Sequence, residues 1–447
     1  MHGEAGSATT VIFGWSPLWL ATTLFVVTYL VIMSDRLNRA IVALLGAGLL
    51  ILSGVLNQHE AMRAVDFNTL GLLLGMMLIV NITRRSGLFQ YVAIWSAKKV
   101  RASPWGILLM MCIVTAVFSA FLDNVTTVLL TVPVTLLITD ELEVKPYPYL
   151  FAQILASNIG GTATLIGDPP NIMIGSATGL TFNDFAIALA PICIVIMVAT
   201  MVPLYFIWGR HLHATDENRR HVMGFNERET ITDPRLLKQS LTVIALVIAG
   251  FMLQRQIRIE PATIAIFGAA VLLLLDNLGK PGDEQSKNVH GALSEAEWIT
   301  LMFFLGLFIL VYGIQKAGLI DMMAAALLKA TQGDFNVTAL AILWASAVLS
   351  AFIDNIPFVA TMIPLIKAMA PTFGGEGALV PLWWALSLGA CLGGNGTLIG
   401  ASANLIVAGL AERAGTTFRF VEFMKVAFPL MLISIVLSHA YIYFRFL

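Results

Sequence analysis

The feature that most constrains this chain is a duplication inside it. Ser119-Ala-Phe-Leu-Asp123-Asn124 returns as Ser350-Ala-Phe-Ile-Asp354-Asn355. From Phe118 to Pro133 against Leu349 to Pro364, 7 of 16 positions are identical. Gly160-Gly161-Thr-Ala-Thr164-Leu-Ile-Gly167-Asp168-Pro-Pro-Asn171 returns as Gly393-Gly394-Asn395-Gly-Thr397-Leu-Ile-Gly400-Ala401-Ser-Ala-Asn404, identical at 7 of 12. Gly75 and Gly87 pair with Gly306 and Gly318 in the same way. The offset stays between 231 and 233 throughout, so one half is a copy of the other and not merely a stretch of like composition.

Hydropathy says what the copies are made of. Of 447 residues, 58% are hydrophobic and only 12% charged, with a mean hydropathy of +0.84; a soluble chain carries roughly 25% charged residues. Apolar stretches able to cross about 30 Å of hydrocarbon recur at Pro17–Met33, Ile41–Leu56, Leu70–Ile82 and Phe185–Trp208. In the second half they recur at Ser240–Leu253, Ala262–Leu278, Ile299–Ile314 and Val426–Tyr443. Each half also carries two irregular features. One is a pair of short apolar arms around an Asp-Asn: Ile107–Phe121 with Val125–Leu137, and Leu340–Phe352 with Ile356–Met369. The other is an apolar helix broken by glycine, at Gly160–Pro170 and at Gly393–Ser402. Arms of this kind read as re-entrant hairpins and the Gly-rich segments as unwound helices, which the membrane interior tolerates only where they are buried in protein or line a cavity.

The expected fold is therefore an all-α polytopic membrane protein of two five-crossing repeats, each with a re-entrant hairpin and a broken helix. Five is odd, so the second copy is inverted. Residues 1–207 form the first repeat and 240–447 the second, joined by a polar cytoplasmic linker at 208–239, with scaffold and transport domains each drawn from both repeats. With both termini outside, Lys and Arg divide 19 inside to 7 outside, the bias of the positive-inside rule. The lead Met1–Ser16 has Glu4 and no basic n-region, so no cleavable signal is expected; Asp35 and Arg36 after the first apolar run fit a retained helix. Inverted repeats with breaks at matching places point to a transporter's binding site.

Three acids stand out. Asp123 and Asp354 sit inside apolar runs, where an ionised carboxylate costs about 2.5 kcal/mol or more. Each reads either as a helix cap alone or as a cap that also serves an ion or a proton, and Asn124 and Asn355 share either role. Asp168 breaks the duplication, because its counterpart is Ala401. Burial beside other acids disfavours charge, which suits Asp168 to take up and release a proton; an Asp in a surface loop before Pro-Pro is the plainer reading. In the breaks, glycine lets backbone approach cargo closely, and Pro169 and Pro170 leave upstream carbonyls free. Thr164, Asn171, Asn395, Thr397 and Asn404 add neutral donors and acceptors for a small polar solute or a partly dehydrated cation.

The absences narrow the field. No Lys or Arg lies near the breaks, and no phosphate-binding Walker loop occurs, so transport runs on a gradient or on a separate ATPase subunit. Cys112, Cys193 and Cys391 are unpaired in spacing, so no disulfide or metal site is expected. The net charge of -1 gives no reason to expect nucleic acid. No cofactor is called for, and no nucleophile–base constellation suggests an enzyme.

Asp123-Asn-Val-Thr-Thr and Ser157-Asn-Ile-Gly-Gly-Thr-Ala-Thr-Leu-Ile-Gly-Asp-Pro-Pro-Asn171 resemble the ion transporter superfamily, most closely its arsenite efflux permeases. Sodium–proton antiporters of the same clan and the P protein lie close by. The resemblance spans nearly the whole chain and implies a scaffold of plain helices, a transport domain of two hairpins and two broken helices, and elevator-type movement. It places the substrate site at Asn124, Asn158, Thr164, Asn171, Asn355, Asn395, Thr397 and Asn404, together with the acids Asp123 and Asp354. With Asp168 added, the three acids are the candidates for proton or cation coupling. The dicarboxylate branch carries Ser-Asn-Thr at both sites; here the tips read Leu122-Asp-Asn-Val and Ile353-Asp-Asn-Ile, a departure from dicarboxylate transport. The leading expectation is arsenite or antimonite efflux from an inner membrane in exchange for protons, with Cys391 a candidate soft ligand. Sodium–proton antiport and cation-coupled small-anion uptake are the alternatives. Membrane lipid surrounds the chain, and a homodimer is left open.

Overall fold

The computed structural model describes residues 11–34 and 36–447. Residues 1–10 of the lead, with Glu4, lie outside them, as do Asp35 and the Phe13 side chain. Among the described residues all regular structure is helical. Eight helices are long and apolar enough, by length and composition, to cross a membrane. Pro17–Met33, Arg39–Leu52, Pro261–Asn277 and Asn355–Ala368 are apolar but shorter.

Eight helices position the site. Pro104–Phe121 (α1) and Asn124–Glu141 (α2) are the arms of the first hairpin. Tyr147–Thr162 (α3) and Pro169–Thr178 (α4) flank the first break. Their counterparts are Phe335–Phe352 (α5) and Asn355–Ala368 (α6), then Val380–Gly393 (α7) and Ser402–Arg413 (α8). The first hairpin's arms outrun their apolar runs. Ser103 accepts the Gly106 N–H at 3.1 Å and Pro104 takes the first helical position, so α1 starts early. At the other end Thr139-Asp140-Glu141 stays helical. Eighteen residues make a rod about 27 Å long, close to the hydrocarbon thickness.

The chain divides into two compact units, each assembled from segments of both halves. One holds the described part of Met1–Leu70 with Glu297–Thr338 and Ala360–Leu379. In it Arg39–Leu52 lies against Trp298–Lys316 so tightly that a Cβ on Gly306 would sit 2.6 Å from the Ala43 carbonyl carbon. Lys316 pairs with Glu60 at 2.7 Å. The other unit holds Gly71–Ala296, Ala339–Val359 and Val380–Leu447. There Gly75, the counterpart of Gly306, meets the Ala265 backbone at the same 2.6 Å.

The polar stretch read as a linker is tied down in this second unit. Lys98 reaches the Glu227 carboxylate at 2.6 Å and the Phe225 carbonyl at 3.0 Å. The Thr232 N–H donates to the Ser86 carbonyl. Gly87 has φ +82° and would place a Cβ 1.7 Å from the Thr230 carbonyl oxygen, so glycine alone fits beneath this strap.

Candidate functional site

Every residue expected at the site falls within the second unit. The two hairpin tips and two breaks are built by the same local rules. Each first arm ends in two non-helical residues, Leu122-Asp123 and Ile353-Asp354, before the second arm begins. Ser119 donates to the Ser157 carbonyl at 2.6 Å, and its counterpart Ser350 donates to the Ala390 carbonyl, also at 2.6 Å. Thr164 donates to the Ala120 carbonyl, and Thr397 to that of Ala351. These bonds fasten each break to the last turn of the hairpin arm beside it, where helix carbonyls have no intrahelical partner. The breaks also need glycine there: a Cβ on Gly160 would lie 2.3 Å from the Ala116 carbonyl oxygen, and one on Gly393 2.5 Å from that of Ala347.

The asparagines close each break and then join the halves. Asn171 donates to the Thr162 and Thr164 carbonyls at 3.1 and 2.9 Å. Asn404 donates to those of Gly394 and Thr397 at 2.8 and 2.9 Å. Between them sits Asn158, whose amide nitrogen donates to Asn395 Oδ1 at 2.9 Å and Asn404 Oδ1 at 3.0 Å. Its own oxygen accepts from Asn124 at 3.2 Å. Asn158 thus links the first hairpin tip and first broken helix to the second break. Its counterpart at the same offset is Cys391, whose thiol lies 3.7 Å from Asn171 Oδ1 and within reach of the Asp168 carboxylate. Ser387 completes Asn171 from the second half with a 2.5 Å bond to its oxygen.

The structure therefore brings Asn124, Asn158, Asn395 and Asn404 into one buried amide network, while Asn171 closes its own break and meets Ser387 and Cys391. Asn171 has both donors and its acceptor engaged, and the threonine hydroxyls donate to backbone. The amide nitrogen of Asn395 has no protein partner among the described residues.

The three acids occupy different surroundings. Asp123 caps α2: its carboxylate accepts the Thr126 N–H at 2.8 Å and the Thr126 hydroxyl at 2.5 Å. Asp354 accepts the Ile356 N–H at 3.1 Å and the Ser402 hydroxyl at 2.9 Å. Asp168 precedes α4 but makes no side-chain cap bond. Pro169 and Pro170 offer no N–H at the first two helical positions, and the third, that of Asn171, donates to the Asp168 backbone carbonyl at 2.9 Å, so the carboxylate is left to other partners. Its carboxylate is 1% exposed and faces Asn355, whose amide nitrogen lies 3.3 and 3.5 Å from its two oxygens. Asp168 and Asn355 come from different halves, 187 positions apart. Among the described residues no Lys, Arg or His pairs with Asp123 or Asp168. Each stands in a position where a proton or a cation is the natural counterweight to charge.

Sequence reasoning did not find Ser119, Ser350 or Ser387. The first two lie inside the repeated Ser-Ala-Phe, so the duplication itself is the signal that could have shown them. Ser387 has no such mark.

A helical membrane protein with paired tips and paired broken helices meeting at buried acids is a membrane transporter. The profile of the citrate transporter family (CitMHS) matches residues 29–389, and the chain belongs to that family. It is 41% identical over 431 residues to an uncharacterized transporter of Mycobacterium tuberculosis, covering 96% of this chain and 98% of that one. It is 33% identical over 506 residues to the human P protein, covering 95% of this chain and 59% of that longer protein. The fold is shared with two solved transporters. For YdaH of Alcanivorax borkumensis the TM-score is 0.52 at 15% identity, covering 97% of this chain and 99% of that one. For MtrF of Neisseria gonorrhoeae it is 0.55 at 14% identity, covering 97% and 95%.

Proposed function

We propose that this chain is a secondary active transporter that extrudes arsenite or antimonite in exchange for protons, with Asp168 carrying the proton. The observation behind this reading is the Asp168 carboxylate itself. It is buried, makes no cap bond to α4, and is flanked by the Asn355 amide and the Cys391 thiol. A carboxylate so placed changes its interactions when it gains or loses a proton, and those interactions come from the second half of the chain. The neutral trihydroxide of arsenic needs donors and acceptors but no fixed charge, which suits a site made of amides, hydroxyls and break backbone. The likeness of both motifs to arsenite efflux permeases supports the same cargo. Asp123 and Asp354 hold the tips and add to the coupling path. The transport step is elevator-type, in an inner membrane with both termini outside.

Two other readings have a specific observation each. The family's description as citrate transporters favours a small anion moved with cations, although a multivalent anion ordinarily meets a fixed positive charge or a helix N-terminus. Three acids in one unit favour sodium–proton antiport. Everted vesicles carrying the chain under a preset pH gradient separate the three. Dissipation by arsenite or antimonite alone is expected. Dissipation by sodium alone makes the protein an alkali-cation antiporter, and a response to citrate or succinate alone makes it an anion carrier.

A further inference from the structure

One to two turns from the first tip, α1, α2 and α3 bury a polar layer that the amide network does not use. Gln153 on α3 donates through its amide nitrogen to the Thr115 hydroxyl at 3.1 Å. Thr115 on α1 lies 3.5 Å from the Thr131 hydroxyl on α2, and Thr131 donates to the Thr127 carbonyl at 3.0 Å. Thr115, Thr127 and Gln153 are 0% exposed and Thr131 1%. Two atoms of this layer have no partner among the described residues: Gln153 Oε1 and Thr127 Oγ1. The idle hydroxyl is notable because Thr126, Thr131, Thr135 and Thr139, the other threonines of α2, each donate to an acceptor. A buried carbonyl oxygen and a buried hydroxyl left unmatched are costly, so such a place calls for an occupant.

The duplication supplies an internal control. At the same offsets, Thr127, Thr131 and Gln153 correspond to Phe358, Met362 and Leu386, and Thr115 to Ser346, which keeps a hydroxyl. The second copy thus carries hydrocarbon at three of the four positions and leaves only the Ser346 hydroxyl without a partner among the described residues, whereas the first half adds a buried carbonyl oxygen and two more hydroxyls. Its chemistry narrows the occupant. The Gln153 carbonyl can only accept, so it faces something positive or a proton donor. The ligands are hard, neutral oxygens, which suit a hard cation rather than a soft one.

We propose that Thr115, Thr127, Thr131 and Gln153 form a second binding site, separate from the amide and acid cluster, for a dehydrated monovalent cation of sodium's size. The site does not depend on the identity of the cargo.

The test is the melting temperature of the purified full-length protein against sodium chloride, with choline chloride holding ionic strength constant. Sodium stabilises the wild type and choline does not. Gln153→Leu and Thr127→Val, shown folded by a single size-exclusion peak, need at least about tenfold more sodium for the same rise, as mass action on a weakened site dictates. Thr127→Ser keeps the hydroxyl and the wild-type response. The proposal is overturned if sodium leaves the wild type unmoved, which makes the layer a water site only. It is equally overturned if Gln153→Leu and Thr127→Val respond to sodium like the wild type, which puts the cation elsewhere.

Discussion

The two halves of the site share their carpentry and differ in their chemistry. Ser119 and Ser350 make the same bond at the same length. Thr164 and Thr397 tie the breaks to matching carbonyls, and Gly160 and Gly393 admit matching backbones. Against this sameness, Asp168 corresponds to Ala401, Asn158 to Cys391, and Gln153 to Leu386. What both copies keep holds a broken helix together without water. What only the first copy has is a third acid, Asp168, and the amide side chains of Asn158 and Gln153. The difference teaches where to look for coupling: in the first half, with the second half supplying partners such as Asn355 and Ser387.

The comparison can be broken at its strongest point by overfilling the shared contacts. Gly160→Leu and Gly393→Leu drive a side chain into a backbone carbonyl, and overpacking of this kind costs about 1–3 kcal/mol or more. Both variants should lower the melting temperature by similar amounts or fail to accumulate. A large loss in one and none in the other would show that the breaks are not equivalent.

A smaller effect sharpens the contrast at the keystone. Asn158→Leu strands Asn124, Asn395 and Asn404, each left lacking a partner it now has, at about 1–3 kcal/mol per buried group. Cys391→Ala removes one thiol contact, so it should destabilise less and retain transport. Equal losses in chemical denaturation would contradict the assignment of Asn158 as the link between halves. Smaller again, Ser119→Ala and Ser350→Ala should each cost about 1 kcal/mol and match one another.

The smallest effect lies outside the site. The hydrogen bond from Lys98 holds the partly exposed Glu227 carboxyl below its usual value of 4.5. A lowered folded-state value means that the strap's contribution is present above the unfolded value and fades as pH falls through the depressed one. Amide protection across residues 225–232, taken relative to the intrinsic exchange rate at each pH, should therefore fall at acid pH, and Glu227→Gln should show lower protection already at neutral pH.

Much of this was legible in the chain. The duplication located both tips and both breaks, because helix capping at Asp-Asn and helix interruption at Gly-Gly are local events. The pairing of Asn158 with Asn395 and Asn404 was not legible: those residues are 237 and 246 positions apart, and no periodicity carries such a contact. Thr164 and Thr397 were expected at the substrate site; that their hydroxyls also donate to the Ala120 and Ala351 carbonyls, at the ends of the hairpin arms, no local pattern could show. The reach of α1 and α2 beyond their apolar runs escaped hydropathy because caps and a polar last turn, rather than apolar residues, set those ends. His211–Gln239 looked like a linker since its composition is polar; Gly87, far away in sequence, is where the strap is accommodated.

The central claim is that the acid peculiar to the first half couples transport to protons. Asp168→Asn keeps the size and hydrogen-bonding capacity of the side chain and removes its charge, so it separates cargo movement from coupling. In everted vesicles, arsenite counterflow and arsenite-driven proton flux should be measured side by side for the wild type and Asp168→Asn. Counterflow retained with proton flux lost by about 100-fold, the scale of an essential proton-transfer group, is the predicted result. Proton flux that survives in Asp168→Asn would contradict the account and move the coupling acid to Asp123 or Asp354.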